Sequence, residues 1–225
     1  MAEPIRAVVL DIEGTTTPIA FVHRVLFPYA RDRLPALLRD RAAEPGVAAA
    51  LEAVPGPDPL ATLLDWLDRD VKVTPLKTLQ GLVWREGYTD GTLLGELYGD
   101  VAPALAAWHA AGLRLFIYSS GSEDAQRLLF GHSDAGNLLP LLSGFFDTRI
   151  GAKRDAESYR AILAALGEQP ARVLFLSDVE AELLAASEAG LTVCQVARPE
   201  DGTLPSPHVP VADTFATVGR RFGLG

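Results

Sequence analysis

Four short apolar runs, separated by segments with helical patterns, constrain the fold of this 225-residue chain more than any other feature. The runs are AVVL, which ends at Asp11, LRLFIY, which ends at Ser119, RVLFL, which leads to Asp178, and LTVCQV at residues 191–196. Nearly continuous apolar runs of this length are typical of strands covered on both faces, as in a parallel sheet. The helical patterns between them indicate βαβ units. We therefore predict an α/β fold with a doubly wound parallel sheet.

One interval in this alternation is too long for a single crossover helix. Between Asp11 and Ser119 the chain carries several helical patterns, which together form an insert after the first strand. We expect a helix with Pro28 and Pro35 to be kinked or split, and residues 46–58, which contain Pro-Gly-Pro, to form a loop. An insert of this size behaves as a small separate domain that closes over the site. The predicted domains are a catalytic core of residues 1–17 and 101–225 and a helical cap of residues 18–100.

The composition of the chain limits the classes of partner that it is expected to bind and the cell compartment in which it is expected. The net charge is −9 and the pI is about 4.9, and a field of this sign repels nucleic acid and anionic membranes. Cys194 is the only cysteine, which excludes an intrachain disulfide and a multi-cysteine metal site. The N-terminal segment has no apolar stretch of signal-peptide length. We expect a cytoplasmic monomer that binds neither nucleic acid nor membranes.

Polar residues at the ends of three runs are expected to meet. In open α/β sheets ligands bind outside the carboxyl ends of the strands, where Asp11, Ser119 and Asp178 would lie. A single Asp at such a position is often only a turn or helix-cap residue. Glu13 adds a carboxylate close to Asp11, and clustered carboxylates repel each other unless a cation is present. The cluster therefore predicts Mg²⁺, which binds through one or two carboxylates and substrate phosphate, and a phosphorylated substrate.

This chemistry gives each acid a role. Asp11 is expected to attack a phosphate ester and to form an aspartyl-phosphate. Glu13 is placed to protonate the leaving oxygen and later to activate a water molecule. Asp178 is expected to bind the metal directly, and Glu182, one helical turn further on, to hydrogen-bond to water molecules of the metal.

Two further segments supply groups for an anion. Ser119 and Ser120 lie between a strand and a helix, where hydroxyl and N–H groups form an anion cradle, although an N-cap with a glycine turn has the same pattern. Lys153 and Arg154 stand just before a helix N-terminus, where cations oppose the helix dipole unless an anion binds nearby. We expect Lys153 to contact the phosphate and the nucleophile and Arg154 to be solvated. An ordinary surface lysine is the alternative.

With these four segments in this order along the sequence, the chain resembles the haloacid dehalogenase superfamily of phosphohydrolases. The resemblance implies a Rossmann-like catalytic core and places the helical insert where that superfamily has its cap. Glu13 departs from the superfamily pattern, in which the general acid is usually Asp. The residues that carry the resemblance are Asp11 and Glu13 in DIEGT, Ser119, Lys153 and Asp178.

Longer segments carry a narrower resemblance. DIEGTTTPIAFVHRVLFPYA, LQGLVWREGY, IYSSGS and LFLSDVEAE together are similar to the acireductone synthase (enolase-phosphatase) family of methionine salvage. This implies an enzyme with one Mg²⁺ per subunit that enolises 2,3-diketo-5-methylthiopentyl 1-phosphate and then dephosphorylates it to the acireductone. It also implies a set of ligands: Asp11, Glu13 (by its side chain or its backbone carbonyl) and Asp178 for the metal, and Ser119, Ser120 and Lys153 for the substrate.

The insert is expected to set the specificity. Aromatic residues of the insert are equally consistent with its hydrophobic core, and this alternative applies above all to Phe21 and Trp84. Candidates to line a pocket for a small thioether are Phe21, His23, Gln80, Trp84 and Tyr88.

Three rival functions stay open at this point. One is a phosphatase or phosphomutase of the same fold that acts on another small phosphate ester. Another is a metal-free dehalogenase in which Asp11 attacks carbon, although Glu13 and Asp178 argue against it because carbon–halogen cleavage needs no acid for the leaving group. The last is a phosphate-binding module without turnover.

Overall fold

The structure is a computed structural model that describes residues 3–225. The chain divides into two compact units, one formed by Met1–Ile19 with Gly95–Gly225 and one formed by Ala20–Leu94. The first unit holds every strand of the sheet, and the second unit is helical. The assignment of residues 18–100 as a cap domain stays a prediction.

The first unit is built on a six-stranded sheet in the order β3-β2-β1-β4-β5-β6, in which all neighbouring strands are parallel. The four strands predicted from the apolar runs are present, and the predicted parallel α/β fold is confirmed. The sequence did not suggest the two edge strands, because three and two residues are too short to show a pattern. The strands are β1 Ala7–Leu10, β2 Arg114–Tyr118, β3 Gly144–Phe146, β4 Val173–Ser177, β5 Thr192–Val196 and β6 Val211–Ala212.

Helices connect the strands and also form most of the second unit. Short 3-10 turns add to them at Leu139–Leu141, Pro170–Arg172 and Pro199–Asp201. The α-helices are α1 Ile19–Phe21, α2 Phe27–Arg41, α3 Pro45–Glu52, α4 Pro59–Asp68, α5 Thr74–Thr89, α6 Val101–Ala110, α7 Glu123–Gly131, α8 Ala156–Leu166, α9 Glu180–Glu188 and α10 Phe215–Phe222.

The sheet is buried on both faces. Ala7 and Val9 of β1 belong to a core cluster with Tyr159 of α8 and Leu183 of α9. Successive side chains of a strand point to opposite faces, so the remaining residues of β1 face the other side, and all four residues of the strand are fully buried. This double burial explains why the strand sequences are apolar without interruption.

Helix α8 shows how the local sequence fixes the elements around the site. Asp155 caps the helix N-terminus, because its side chain accepts a hydrogen bond from the N–H of Glu157 at 3.0 Å. Gly167 ends the helix in the left-handed conformation, with φ of 65°. Together these caps fix both ends of α8 and set the position of Lys153 just before the helix.

The helical unit differs from expectation in two places. Pro35 lies inside α2, which continues through it, and the irregularity instead precedes Pro28, as a π-helical turn over Val22–Leu26. The expected loop over residues 46–58 is wrong in its first half, because residues up to Glu52 belong to α3. The alanines of this segment favour a helix, and the Pro-Gly-Pro sequence only follows it.

The two segments that lead out of and back into the first unit lie side by side. The N–H of Tyr98 donates to the carbonyl of Thr16 at 3.1 Å. Asp201 joins both segments, because its Oδ2 accepts from the N–H of Ile19 at 3.3 Å and from the hydroxyl of Tyr98. The first unit is therefore closed by hydrogen bonds at the point where the insert interrupts it.

Replacing Gly167 with alanine should destabilise the protein. The left-handed conformation costs a residue with a Cβ about 1–2 kcal/mol, and a Cβ at Gly167 would meet no atom within 4 Å, so no clash adds to this cost. We expect a lower midpoint of urea unfolding, followed by circular dichroism. Gly167→Asn is the matched control and should lie closer to wild type, since asparagine enters this conformation more readily. Equal losses for both variants would contradict the conformational cause.

Candidate functional site

The six residues predicted to bind the metal or the substrate or to carry the chemistry all line one cavity in the first unit. Asp11 follows β1 and Asp178 follows β4, which pairs with β1, while Ser119 follows β2 on the other side of β1. The three strand ends therefore converge at one edge of the sheet, as parallel pairing requires. The cavity has a volume of about 440 Å³ and is lined by Asp11, Glu13, Ile19, Ser119, Ser120, Thr148, Ala152, Lys153, Arg154, Asp178, Val179 and Glu182.

Lys153, which lines this cavity, forms a double ion pair. Its Nζ lies 2.5 Å from Oδ1 of Asp11 and 2.6 Å from Oε2 of Glu182, and its side chain is 11% exposed. Burial alone would lower the pKa of Lys153, but the carboxylates of Asp11 and Glu182 outweigh burial and hold this pKa above its usual value. Lys153 is therefore a fixed positive charge against Asp11, and the surface-lysine alternative is wrong.

Asp178 carries an unsatisfied buried oxygen. Its Oδ1 is shielded from solvent and has no hydrogen-bond partner among residues 3–225. Burial and the negative charge of Asp11 raise the pKa of Asp178 to about 7. A buried carboxylate without a partner is costly, so this oxygen marks a place where a cation would be stabilised.

The turn from Ile12 to Thr17 fixes Glu13 and lies against Asp178. The carbonyl of Ile12 accepts from the N–H groups of the next three threonines at 2.9–3.1 Å. Gly14 has φ of 74°, and a Cβ on it would lie 2.4 Å from Oδ2 of Asp178. Only glycine fits both the backbone and this close approach. The Gly-Thr segment of the sequence is therefore a rigid support for the acids rather than a generic turn.

The serine loop after β2 offers a hydroxyl toward the cavity. Ser119 is buried, and its Oγ accepts from the N–H of Gly121 at 3.1 Å, so its hydrogen remains available to donate. The N-cap of α7 is Ser122, which accepts from the N–H of Ala125 at 3.3 Å. The helix-cap alternative for Ser119 and Ser120 is therefore wrong, because the next serine performs that role.

Several supporting residues were not apparent from the sequence. Ser177 accepts from the N–H of Val179 at 3.1 Å, and its Oγ lies 3.0 Å from Oε2 of Glu182. Gln126 is buried and donates at 2.9 Å to the carbonyls of Gly121 and Phe146, which holds the serine loop. Their polar side chains within buried segments were the available signal, although it did not specify their partners.

Glu182 and Arg154 have different surroundings. Glu182 was expected near water molecules of a metal, and the structure places it directly on Lys153. Burial and the charge of Asp11 raise the pKa of Glu182, and the contact with Lys153 opposes this rise. Arg154 is exposed at the edge of the cavity, as a solvated neighbour of Lys153 would be.

In the helical unit, Trp84 is held as part of the fold. Its Nε1 donates to the carbonyl of Leu26 at 3.0 Å, and its ring packs against the core cluster of this unit. The core alternative is therefore favoured for Trp84. Phe21, Gln80 and Tyr88 are buried and His23 is exposed.

Two negative findings apply to the described part of the chain. Among residues 3–225, no helix combines the length and the apolar character that crossing a membrane requires. In the same residues, no three side chains of His, Cys, Asp or Glu are grouped so as to hold a metal ion on their own. Any metal in the cavity would therefore depend on fewer carboxylates together with other oxygen ligands.

Comparison with solved structures supports the fold. The UTR4 protein of Saccharomyces cerevisiae superposes with a TM-score of 0.80 at 35% identity, over 95% of this chain and 99% of that chain. CbbY of Rhodobacter sphaeroides, solved in complex with phosphate, superposes with a TM-score of 0.63 at 21% identity, over 96% of each chain. At this lower identity the second likeness concerns the fold alone.

Comparison of sequences identifies the family. The family model for haloacid dehalogenase-like hydrolases matches residues 5–190. A protein of Gluconacetobacter diazotrophicus named enolase-phosphatase E1 is 58% identical over 99% of this chain and 96% of its own length. A protein of the same name from Acidiphilium cryptum is 56% identical over 96% of this chain and 94% of its own length. Both levels of the resemblance inferred from the motifs are thereby confirmed, and the chain belongs to the haloacid dehalogenase-like hydrolases and, within them, to the enolase-phosphatase E1 family.

Proposed function

We propose that this chain is the enolase-phosphatase of methionine salvage, which converts 2,3-diketo-5-methylthiopentyl 1-phosphate into the acireductone and inorganic phosphate. The observation that carries the proposal is the near-full-length identity of more than half of the residues to proteins named enolase-phosphatase E1. The cavity supports it, because a carboxylate, an ammonium group and hydroxyls, the groups that phosphoryl transfer needs, line the same space.

Asp11 is the nucleophile in this proposal. Its carboxylate attacks phosphorus, the bond between phosphorus and the ester oxygen breaks, and an aspartyl-phosphate forms. Lys153, whose Nζ lies 2.5 Å from Oδ1 of Asp11, supplies positive charge next to the phosphoryl oxygens. Ser119 and Ser120 line the same cavity and would donate hydrogen bonds to those oxygens. Glu182 also contacts Lys153, at 2.6 Å, and helps to hold it in this position.

Glu13 is the proposed acid and base. It gives its proton to the ester oxygen as that oxygen leaves, and it then takes a proton from the water molecule that attacks the aspartyl-phosphate. Phosphate departs and the Asp11 carboxylate is restored. Before these steps, enolisation moves a proton from carbon to a neighbouring carbonyl oxygen. We assign this transfer to Glu13 as well. Its carboxyl group donates its proton to the carbonyl oxygen and takes up the proton that leaves carbon, so that Glu13 is protonated again before the ester bond breaks. A glutamate suits this additional step, since it reaches about one bond further than the aspartate usual in the superfamily.

One Mg²⁺ ion is the proposed cofactor, in agreement with the general requirement of phosphatases in this superfamily. The proposed ligands are the carboxylates of Asp11 and Asp178 and the backbone carbonyl of Glu13. This set fits Mg²⁺, which keeps several waters and binds through one or two carboxylates together with substrate phosphate. The buried, unpaired Oδ1 of Asp178 is an acceptor of the required kind. When bound, the ion would supply positive charge that neutralises the phosphate and the clustered carboxylates.

Specificity is assigned to the insert, with residues 18–100 as the proposed cap domain. Phe21, His23, Gln80 and Tyr88 remain candidates for contact with the methylthio group. Trp84 is a weaker candidate, because its indole N–H already donates to a backbone carbonyl.

Turnover of the diketone phosphate tests the proposed function. The purified protein with Mg²⁺ should produce an enol, followed by its absorbance, together with inorganic phosphate. Phosphate without any enol intermediate would indicate a phosphatase for another ester instead. The absence of both products would refute the proposal.

Asp11→Asn should lower kcat for phosphate release by on the order of 10³-fold or more, because an amide cannot replace the attacking carboxylate. Asp124→Asn is the matched control, since it makes the same change of charge on the exposed first turn of α7. The control should retain wild-type turnover, measured by a phosphate assay. Comparable losses in both variants would argue against nucleophilic attack by Asp11.

Glu13→Asp should depress enol formation more than it depresses hydrolysis of a simple phosphate ester. A side chain shorter by one methylene misplaces the carboxyl by about 1 Å, a displacement that can cost up to about 100-fold in rate. The enol rate with the diketone phosphate is to be compared with the rate of p-nitrophenyl phosphate hydrolysis. Equal losses in the two assays would show that the extra reach has no special part in enolisation.

Mg²⁺ should raise the melting temperature of the wild-type protein and leave that of Asp178→Asn nearly unchanged. A ligand that binds only the folded state stabilises it by about 2.7 kcal/mol at a concentration 100 times its Kd. Sodium chloride at the same ionic strength is the salt control. Glu180→Gln is the matched variant, because Glu180 lies outside the cavity and pairs with His208. If Asp178→Asn retained the full shift, Asp178 would not be a ligand.

A further inference from the structure

Arg198 is a buried arginine that takes no part in the proposed chemistry. Its side chain is 3% exposed, and it follows β5 in a segment that does not line the cavity. It nevertheless contacts the turn that carries Glu13. We propose that Arg198 is a positioning residue of the active site, which holds this turn in place through the carbonyl of Thr15.

The contact with Thr15 uses two donors of the guanidinium group. Nε and Nη2 of Arg198 lie 3.2 Å and 2.9 Å from the carbonyl oxygen of Thr15. The third nitrogen, Nη1, donates to Oδ2 of Asp100 at 3.0 Å and to the carbonyl of Asp213 at 3.3 Å. Because the donors of a guanidinium group have a fixed planar geometry, these contacts define the position of the Thr15 carbonyl.

Aromatic rings fix the orientation of the guanidinium group. The Cζ of Arg198 lies 4.1 Å from the ring centre of Tyr98 and 5.2 Å from that of Phe215. A buried guanidinium between such rings gains cation–π stabilisation that a lysine does not reproduce with the same geometry. Arg198 is thus a rigid support rather than a flexible surface cation.

Thr15 transmits this support to the site. Its carbonyl binds Arg198, while its Oγ1 accepts from the N–H of Asp178 at 2.9 Å. Glu13 lies two residues earlier in the same hydrogen-bonded turn, and the carboxylate of Asp178 occupies the space that a Cβ on Gly14 would need. A shift of the Thr15 carbonyl would therefore displace Glu13, the proposed acid, together with Asp178, the carboxylate that follows β4.

Arg198→Lys tests the proposal. We expect kcat for phosphate release to fall about tenfold, because small misplacements of catalytic groups have large effects on rate, while KM changes by less than about threefold, since substrate contacts remain. Arg114→Lys is the matched control. Arg114 also donates two hydrogen bonds to one carbonyl, that of Leu166, and pairs with an acid, but it lies at the start of β2, away from the strand ends that form the site. Equal kcat values for the two variants, both folded by circular dichroism, would overturn the proposal.

Asp100→Asn separates positioning from stability and also serves if Arg198→Lys does not fold. This substitution removes the negative charge that pairs with Arg198. It leaves both hydrogen bonds from Arg198 to the Thr15 carbonyl, and the asparagine side chain keeps an oxygen that can accept from Nη1 of Arg198. We expect a lower melting temperature with kcat near the wild-type value. A tenfold fall in kcat in Asp100→Asn would show that the ion pair, and not the contact with Thr15, controls the rate. This result would overturn the proposal.

A double-mutant cycle tests the route through Thr15. Thr15→Val removes the acceptor for the Asp178 N–H and keeps the backbone carbonyl. If Arg198 acts through Thr15, the loss of kcat in Arg198→Lys/Thr15→Val should be smaller than the product of the two single losses. Losses that multiply would show that Arg198 acts independently of this contact.

The inference rests on the proposed function, since turnover is its readout. Wild-type protein that releases no phosphate from the diketone phosphate would refute the proposed function. Active wild-type protein, with Arg198→Lys indistinguishable from Arg114→Lys, would refute only the role of Arg198.

Discussion

The hydrogen-bonded position of β1 between β2 and β4 is the constraint on which the site depends. Parallel pairing in this register aligns the carboxyl ends of all three strands, so that residues more than 100 positions apart in the sequence meet at one edge. The N–H of Asp11 still donates to the carbonyl of Leu176 at 2.9 Å, which extends the pairing one residue beyond the strand and fixes the backbone of the proposed nucleophile. The rigidity of the sheet thus extends directly to Asp11.

The negative charge of the carboxylates at this edge of the sheet is only partly balanced by positive charge. Lys153 neutralises part of the charge of Asp11 and Glu182, and no described cation pairs with the Asp178 carboxylate. The remaining negative charge favours a metal ion, whose binding would in turn attract a phosphate. A protein with a net charge of −9 can bind an anionic substrate at this edge, because a bound metal ion and Lys153 would together place positive charge beside the phosphate.

The sequence predicted most of the core and the convergence of six candidate site residues on one cavity, because apolar runs and strand-end acids are local patterns that parallel topology then brings together. It did not predict β3 or β6, which are too short to show periodicity, and it misread α3, whose alanines precede a Pro-Gly-Pro segment. The partners of Glu182, Gln126 and Arg198 were also not predictable, since each contact joins distant segments through side-chain geometry that no spacing encodes. Local patterns thus located the candidate site residues, and only the folded structure revealed which contacts hold them in place.

The bonds that tie Tyr98 to Thr16, and Asp201 to both flanking segments, have a consequence for the architecture of the chain. The segments just before and just after the insert are hydrogen-bonded to each other within the sheet-containing unit. The insert therefore interrupts the chain at a point where the two flanking segments already lie close together. A short connector could bridge the gap without disturbing any strand, as chain ends that lie close together allow. The insert can therefore vary in length and composition over evolution, or be exchanged by design, while the edge of the sheet that carries the candidate site keeps its form.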